Sequence, residues 1–374
     1  MKIAPFELER YFAKYEFSVE HLLCCSDCEP LGMQELVSMA DEETRTMWEN
    51  LTLGYTESDG LPALRREIAA LYSTMAPENV FVGAPEELIF ILMNTLLEKE
   101  DHVVTTYPAY QSLYQVAQAT GCRVSRWMPE YGKDGFRFDV EQLEELLCEN
   151  TRLIVINFPH NPTGALPGED EIRAVVELAR KRGIYIFSDE MYRYLEHPGT
   201  ERNPSVCDLY EKGISLSGMS KSFSLAGLRI GWLATSDREF LGEAACFKDY
   251  TTICNSAPSE ILALMGLRSK ERIVSGNLEL IEDNLDLLDE FFQTHETVFE
   301  WKRPNAGSVA FPGLKLKMGA SDFCSGLLAD RGVLLLPSRV YGKDWPGENV
   351  RIGFGRRSMS EGIERMNTYI RENL

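Results

Sequence analysis

The chain has 374 residues, 44% apolar and 26% charged, the make-up of a folded protein with room for two or three domains rather than of a disordered one. Its 38 basic and 58 acidic residues give a formal charge of −20, a field that argues against a nucleic-acid or anionic-membrane partner while leaving room for a local positive pocket. No apolar run approaches the roughly 18 residues of a membrane span, the start Met1-Lys2-Ile3-Ala4-Pro5-Phe6-Glu7 turns polar too early for a signal peptide, and nine cysteines point to a reduced, cytoplasmic setting.

In chain order, residues 1 to about 45 read as an amphipathic helix around Phe6–Phe12, then as irregular chain near Pro30-Leu31-Gly32. Cys25-Ser26-Asp27-Cys28 has metal-pair spacing, but no second pair answers it and the five histidines form no cluster. The cysteines therefore read as structural, and no metal is expected. Pro62 suits the first turn of a helix striped by Leu64, Ile68 and Leu71. From Val80 onward short apolar runs recur, at Val80–Val82, His102–Thr106, Cys122–Val124, Leu153–Ile156, Ile184–Phe187, Ile214–Leu216 and Ile230–Ala234. Helical patterns separate most of them, at Glu86–Leu97, Tyr110–Ala119, Val140–Leu147 and Glu169–Arg182.

Such alternation predicts an α/β fold with a mainly parallel seven-stranded sheet covered on both faces, its functional groups in loops beyond the strands' C-terminal ends. After residue 265 the pattern changes. A long helix from Leu278 to Phe292, strands near Ser308–Phe311, Val333–Leu336 and Val350–Gly353, and helices at Ser321–Ala329 and Met359–Glu372 predict a smaller α/β domain. The expected division is an arm that is also part of the small domain at 1–45, a large domain at 46–265 and a small domain at 266–374.

Each strand end in the middle region carries polar chemistry. After Val82, Gly83-Ala84-Pro85-Glu86-Glu87 opens a helix whose free N–H groups suit a phosphate. Pro85 removes one donor, and Glu86 and Glu87 must point away from a dianion. Tyr107-Pro108-Ala109-Tyr110 follows Thr106, and the turn Asn157-Phe158-Pro159-His160-Asn161-Pro162-Thr163-Gly164 follows Ile156. After Phe187 comes Ser188-Asp189-Glu190-Met191-Tyr192, where a carboxylate ending an apolar strand needs a partner. In Ser217-Gly218-Met219-Ser220-Lys221-Ser222, continuing to Arg229, one lysine sits among small residues with a second cation eight positions on and no acid between. Such surroundings disfavour the ammonium form and make the amine a nucleophile.

Glycine turn, aromatic, asparagine, aspartate with tyrosine, lysine and arginine, in that order, make residues 30 to 370 similar to the fold-type I, class I/II aminotransferases, which bind pyridoxal 5′-phosphate (PLP). The resemblance implies that Lys221 carries PLP as a Schiff base, Arg229 holds its phosphate, and Tyr110 stacks on its ring. It also implies that Asn161 and Tyr192 bond its phenolic oxygen and that Asp189 keeps its ring nitrogen protonated. Gly83 and Ala84 would face the phosphate. Gly218 stands where a phosphate-binding serine is common, so Ser220 or Ser217 would substitute. Arg351 matches the arginine that grips a substrate α-carboxylate, Gly32 lies where the N-terminal segment closes over substrate, and Tyr55 matches a tyrosine reaching the neighbouring subunit's phosphate, implying a homodimer.

The implied function is amino transfer between an L-amino acid and a 2-oxo acid. Thr251–Ser256 holds no arginine of the kind dicarboxylate-specific members carry there. The alternative is a lyase, decarboxylase or cyclase of the same fold, because the N-terminal helix and the Cys24–Gly32 loop resemble the capreomycidine synthase branch. A third reading, a PLP-sensing DNA-binding regulator, is disfavoured by the charge and by an aminotransferase pattern that begins near residue 30.

Overall fold

The computed structural model describes residues 2–374. The seven apolar runs of the middle region become β1 (Val80–Gly83), β2 (His102–Thr106), β3 (Arg123–Trp127), β4 (Thr151–Asn157), β5 (Tyr185–Asp189), β6 (Gly213–Gly218) and β7 (Gly231–Ala234). They form one sheet in the order β1-β7-β6-β5-β4-β2-β3. β7 is antiparallel to both neighbours, and the other four pairings are parallel.

The sheet interior consists of residues shielded on both faces: Ile154, Val155, Ile186, Phe187, Ile214 and Leu216 are all 0% exposed. Burying each contributes about 1.5–3 kcal/mol, so the register of these strands is strongly specified. That register sets Asn157 beside Asp189 and Asp189 beside Leu216, which aligns the C-terminal ends of β4, β5 and β6. The covering helix Glu169–Arg182 ends where the sequence says it should. Its first turn holds Glu169, Asp170 and Glu171, its last Arg180, Lys181 and Arg182, and Gly183 closes it at φ +65°.

Some details depart from the pattern. The helix expected from Tyr110 begins at Ser112, leaving Tyr110 in the preceding loop. Val333–Leu336 is two strands, not one. Val333–Leu334 pairs in parallel with His21–Leu22, whereas Leu336–Pro337 pairs with Val350–Gly353. A hairpin, Glu130–Gly132 with Gly135–Arg137, and two helices, Arg238–Lys248 and Ala257–Arg268, add to the expected elements.

Contacts between distant parts of the chain hold the N-terminal segment in place. Leu23 N–H donates to Leu334 O at 3.1 Å, Gly353 N–H to Leu23 O at 2.8 Å, and Ser308 Oγ to Ser26 O at 2.8 Å. Gly353 is glycine for a steric reason, since a Cβ there would overlap the Cys25 carbonyl. The loop Cys24–Asp27 thereby lies on the end of the strand that carries Arg351.

Candidate active site

The ends of β4, β5 and β6 border a cavity of about 640 Å³. Asp189, the last residue of β5, is 6% exposed and lines it. Burial raises its carboxyl to about 7, against pulls from the Met191 N–H, 3.1 Å away, and from Lys221. Among the described residues no cation pairs with it, so it is a buried acid with one local hydrogen bond and an open face.

Lys221 lies in the turn after β6 and lines the same cavity. Burial lowers its ammonium below the ordinary value; Asp27 opposes this and Arg351 reinforces it. Its Nζ donates to Ser26 Oγ at 2.9 Å, a partner 195 positions away in sequence. Tyr192 is 3% exposed, lines the cavity and has a hydroxyl with no hydrogen-bond partner of good geometry. A buried hydroxyl left this way costs about 1–3 kcal/mol unless something enters to meet it. Burial raises its pKa, against the lowering pull of Arg351 and of a loose hydrogen bond from Ser26.

Arg351 is 1% exposed and lines the cavity. Its NH1 donates to Asn161 Oδ1 at 3.1 Å and to the Tyr341 hydroxyl at 2.8 Å, and its NH2 donates to Cys24 O at 2.7 Å. Its Nε has no partner, and no carboxylate pairs with it among the described residues. Burying an unneutralised guanidinium is expensive. The arrangement is therefore a built receptor for an anion, and a planar fork suits a carboxylate. The same bonds orient Asn161. Because its Oδ1 accepts from both Arg351 and Tyr341 (3.1 Å), its amide NH₂ remains as the donor available to a ligand.

Of the remaining residues singled out in the sequence, Tyr110, Ser220 and Arg229 also line the cavity. The Tyr110 hydroxyl donates to Glu9 Oε1 at 2.8 Å, and its ring lies 4.8 Å from that of Phe6. Arg229 is exposed, in the left-handed region at φ 55°. Gly83 and Ala84 stand at the end of β1 and the start of the helix Pro85–Leu96, but Pro85 and Glu86 supply the lining. This corrects the expectation that Glu86 points away. It faces the cavity, bonded by Ser112 Oγ at 3.1 Å, and burial raises its carboxyl to about 7. Glu87 turns outward to Thr251 and Thr252.

Gly32 is exposed and outside the cavity lining; Cys25, Ser26 and Asp27 take the position expected of it. The sheet register explains this, because the chain is tied down at Leu23–Ser26 and has left the site by residue 32. Tyr55 is 92% exposed and borders a separate surface hollow with Leu53 and Cys254. At Gly218 a Cβ would come within 3.0 Å of Gly231 Cα and 3.3 Å of Pro85 Cγ, so the proline at the helix start and the serine missing from this strand go together. Of the two possible substitutes Ser220 faces the cavity and Ser217 does not.

Sequence reasoning missed Tyr341, Ser26 and the acids Glu9, Glu16 and Asp27, all but Tyr341 lining the cavity. The helical stripe at Phe6–Phe12 was a usable signal, since Phe6 and Phe12 face the cavity along with Glu9. Tyr341 carried none.

A buried acid, a half-buried amine, an unmet hydroxyl, a spare amide and an exposed arginine around one cavity fit a flat cofactor that has a ring nitrogen, a phenolic oxygen and a phosphate. Comparison with known proteins agrees. Residues 31–366 match the family model for aminotransferase class I and II. The chain is 29% identical over 291 residues to capreomycidine synthase of Streptomyces vinaceus, covering 76% of this chain and 73% of that protein. A crystal structure of a PLP-dependent aminotransferase from Streptococcus suis superposes with a TM-score of 0.92 at 30% identity, covering 100% of this chain and 99% of the other. The PLP-dependent cyclase OrfR superposes at 0.91 with 25% identity over the same shares. The chain belongs to the class I and II aminotransferase family: it is a PLP-dependent aminotransferase of fold type I.

Proposed function

We propose that this enzyme moves an amino group between an L-amino acid and a 2-oxo acid, with Lys221 as the residue that holds the cofactor and then carries the proton. Arg351 supports this reading most directly, as a buried guanidinium lining the same cavity as Lys221 with no carboxylate among the described residues to neutralise it. PLP supplies the electron sink that makes a proton at the substrate's Cα removable.

The chain's own residues supply the rest. Arg351 and Asn161 bind and orient the α-carboxylate. Asp189 accepts the hydrogen bond of the ring nitrogen, which relieves the cost of its burial. Tyr192 and the free amide of Asn161 donate to the phenolic oxygen. Arg229 and Ser220, which line the cavity, would receive the phosphate. Lys221, with its ammonium form already disfavoured, takes the Cα proton and returns it to the carbon that receives the amino group.

The exposed Tyr55, next to an 85%-exposed Leu53, supports a homodimer in which it reaches the partner's phosphate. Nine free cysteines, six of them buried, support a reducing cytoplasmic setting. The hydrogen bonds that Leu23 and Glu29 donate to Leu334 and Gly355, and that Ser26 O accepts from Ser308, support counting the first part of residues 1–45 with the small domain 266–374, whereas Leu36 and Ala40 pack with Leu64 and Val82 of 46–265.

An absorbance scan against a panel of amino acids, with products identified with and without 2-oxo acids, tests the reading. Conversion to the pyridoxamine form, reversed by a 2-oxo acid, is the expected result. The likeness to capreomycidine synthase and OrfR favours one alternative, a cyclase or lyase in the same site. A cyclised or eliminated product formed without any 2-oxo acid would establish that alternative instead.

A further inference from the structure

Lys248 closes the helix Arg238–Lys248 and is 0% exposed. Its Nζ donates to Ser58 O and to Val82 O, each at 2.7 Å, and to Asn255 Oδ1 at 3.1 Å. The three N–H bonds of the ammonium are thus spent on neutral oxygens, and among the described residues no carboxylate forms an ion pair with it. Glu260 is linked to it only through Asn255, whose Nδ2 donates to Glu260 Oε1 at 2.9 Å. Burial lowers the lysine's pKa, against the pull of Glu87, Glu260 and Asp59. Apolar packing of the same volume would hold a helix end at least as well, so the fold alone does not call for a lysine here.

Two loops meet at this ammonium. Ser58 lies just beyond Tyr55, and Asn255 belongs to the turn Tyr250–Ser256. Thr56 Oγ1 closes the joint by donating to Asn255 O at 3.1 Å. The turn is strained, since Ile253, a β-branched residue, has φ +69° and is kept there by its N–H bond to Lys248 O at 3.1 Å. Strain of this kind persists only where the surroundings impose it. Its result is outward display: Tyr250 is 92% exposed, Ile253 and Leu53 are exposed with it, and Leu53 and Tyr55 border one hollow with Cys254 and Asn255. Neither Lys248 nor the turn lines the cavity of its own chain.

We propose that Lys248 is a positioning residue that acts across the subunit boundary. It fixes the Tyr55 loop against the Tyr250–Ser256 turn, so that Tyr55 reaches the cofactor phosphate of the neighbouring subunit without the entropy cost of ordering a free loop. This rests on the homodimer with shared sites proposed above.

The test compares Lys248→Met with Tyr55→Phe, each as a homodimer and each in a mixed dimer with a Lys221→Ala subunit, isolated through two affinity tags. Sedimentation gives the assembly. Occupancy is read as PLP fixed by borohydride, which reports only sites that hold Lys221. Each homodimer should need roughly 10-fold more PLP for half-fixation than the unaltered enzyme, the range of one charge-assisted hydrogen bond. In a mixed dimer the site with Lys221 lies in the altered subunit and receives Tyr55 from the Lys221→Ala subunit, where Lys248 is intact. Half-fixation there should return to the unaltered PLP concentration. A role confined to its own chain, structural or through Val82, leaves the mixed dimer as weak as the Lys248→Met homodimer and overturns the proposal, as does unchanged fixation in that homodimer. If Tyr55→Phe is weakened and rescued while Lys248→Met is not, only the role of Lys248 falls. Unchanged fixation in Tyr55→Phe, or a protein that sediments as a monomer, overturns the shared-site reading and the role of Lys248 with it. Should Lys248→Met fail to fold, Asn255→Ala, which keeps the lysine and removes its bond to the turn, is read by the same outcomes.

Discussion

The cavity has two walls of different origin. One is built from the ends of β4, β5 and β6 and the turn that follows β6, with each functional residue leaving a buried strand. The other is the helix Glu7–Tyr15 and the loop Cys24–Asp27, fastened to the first wall where Lys221 Nζ donates to Ser26 Oγ and to the strand Val350–Gly353 where Arg351 NH2 donates to Cys24 O, across 195 and 327 positions of chain. The first wall carries groups that any reaction of this cofactor needs. The second wall carries the acids Glu9, Glu16 and Asp27. Changes in the strand-end wall should therefore reduce the reaction of every substrate.

The sharpest break of that contrast is Lys221→Ala. Turnover should fall by about 10³-fold or more for every substrate, and borohydride should no longer fix PLP to the protein; undiminished activity would remove Lys221 from the mechanism. Arg351→Lys keeps the charge but loses the fork. KM for the amino acid should rise by roughly 100-fold, with a smaller change in kcat, as steady-state kinetics on two donors would show. An effect on one donor alone would assign Arg351 to side-chain selection and collapse the distinction between the walls.

The next effect is one of pH on the cofactor-free protein. Asp189 and Glu86 each have a folded value near 7 against ordinary values of 3.8 and 4.5. Raised acids stabilise the fold fully below their unfolded pKa and lose that contribution as the pH climbs through the folded value. Stability from these two groups is therefore greatest below about pH 4 and should decline toward pH 7, by about a few kcal/mol in all. Asp189→Asn should flatten the decline in denaturant unfolding, and PLP should stabilise the protein more at pH 8 than at pH 5.

Smaller again is Tyr110→Phe, which removes the bond to Glu9. Stability should drop by about 1 kcal/mol, and limited proteolysis should cut sooner between the helix Glu7–Tyr15 and the loop at Cys24. Least of all is Tyr192→Phe in the cofactor-free protein. Among the described residues its hydroxyl makes no hydrogen bond of good geometry, only a loose contact with Ser26, so the melting temperature should change little. A clear drop would mean that the hydroxyl is already satisfied within the protein.

The strand-end wall was legible because burial on both faces imposes apolar runs, and the polar residue that ends each run stands out against them. Asp189 and Lys221 were visible for that reason. The three arginines near residue 351 show the limit of such reading. The strand position favoured Arg351 over the closely following Arg356 and Arg357; in the structure Arg356 turns to Asp27 at 2.9 Å, Arg357 is exposed, and Arg351 is enclosed at the cavity. The same limit applies to Gly32, which sequence position puts near the substrate and which strand pairing at His21–Leu22 carries past it.

By itself the sequence determined the sheet and the succession of chemical groups along it, because periodicity and local contrast are properties of neighbouring residues; the cofactor followed from the family resemblance that this succession carries. The tertiary structure alone decided that Arg351 is buried, that Tyr341 and Ser26 brace the site, that Glu86 faces inward, and that Glu16 has no partner among the described residues. Those are statements about which groups remain unneutralised once distant segments have packed. Such a remainder is a property of the whole assembly of charges, and no short stretch of chain contains it.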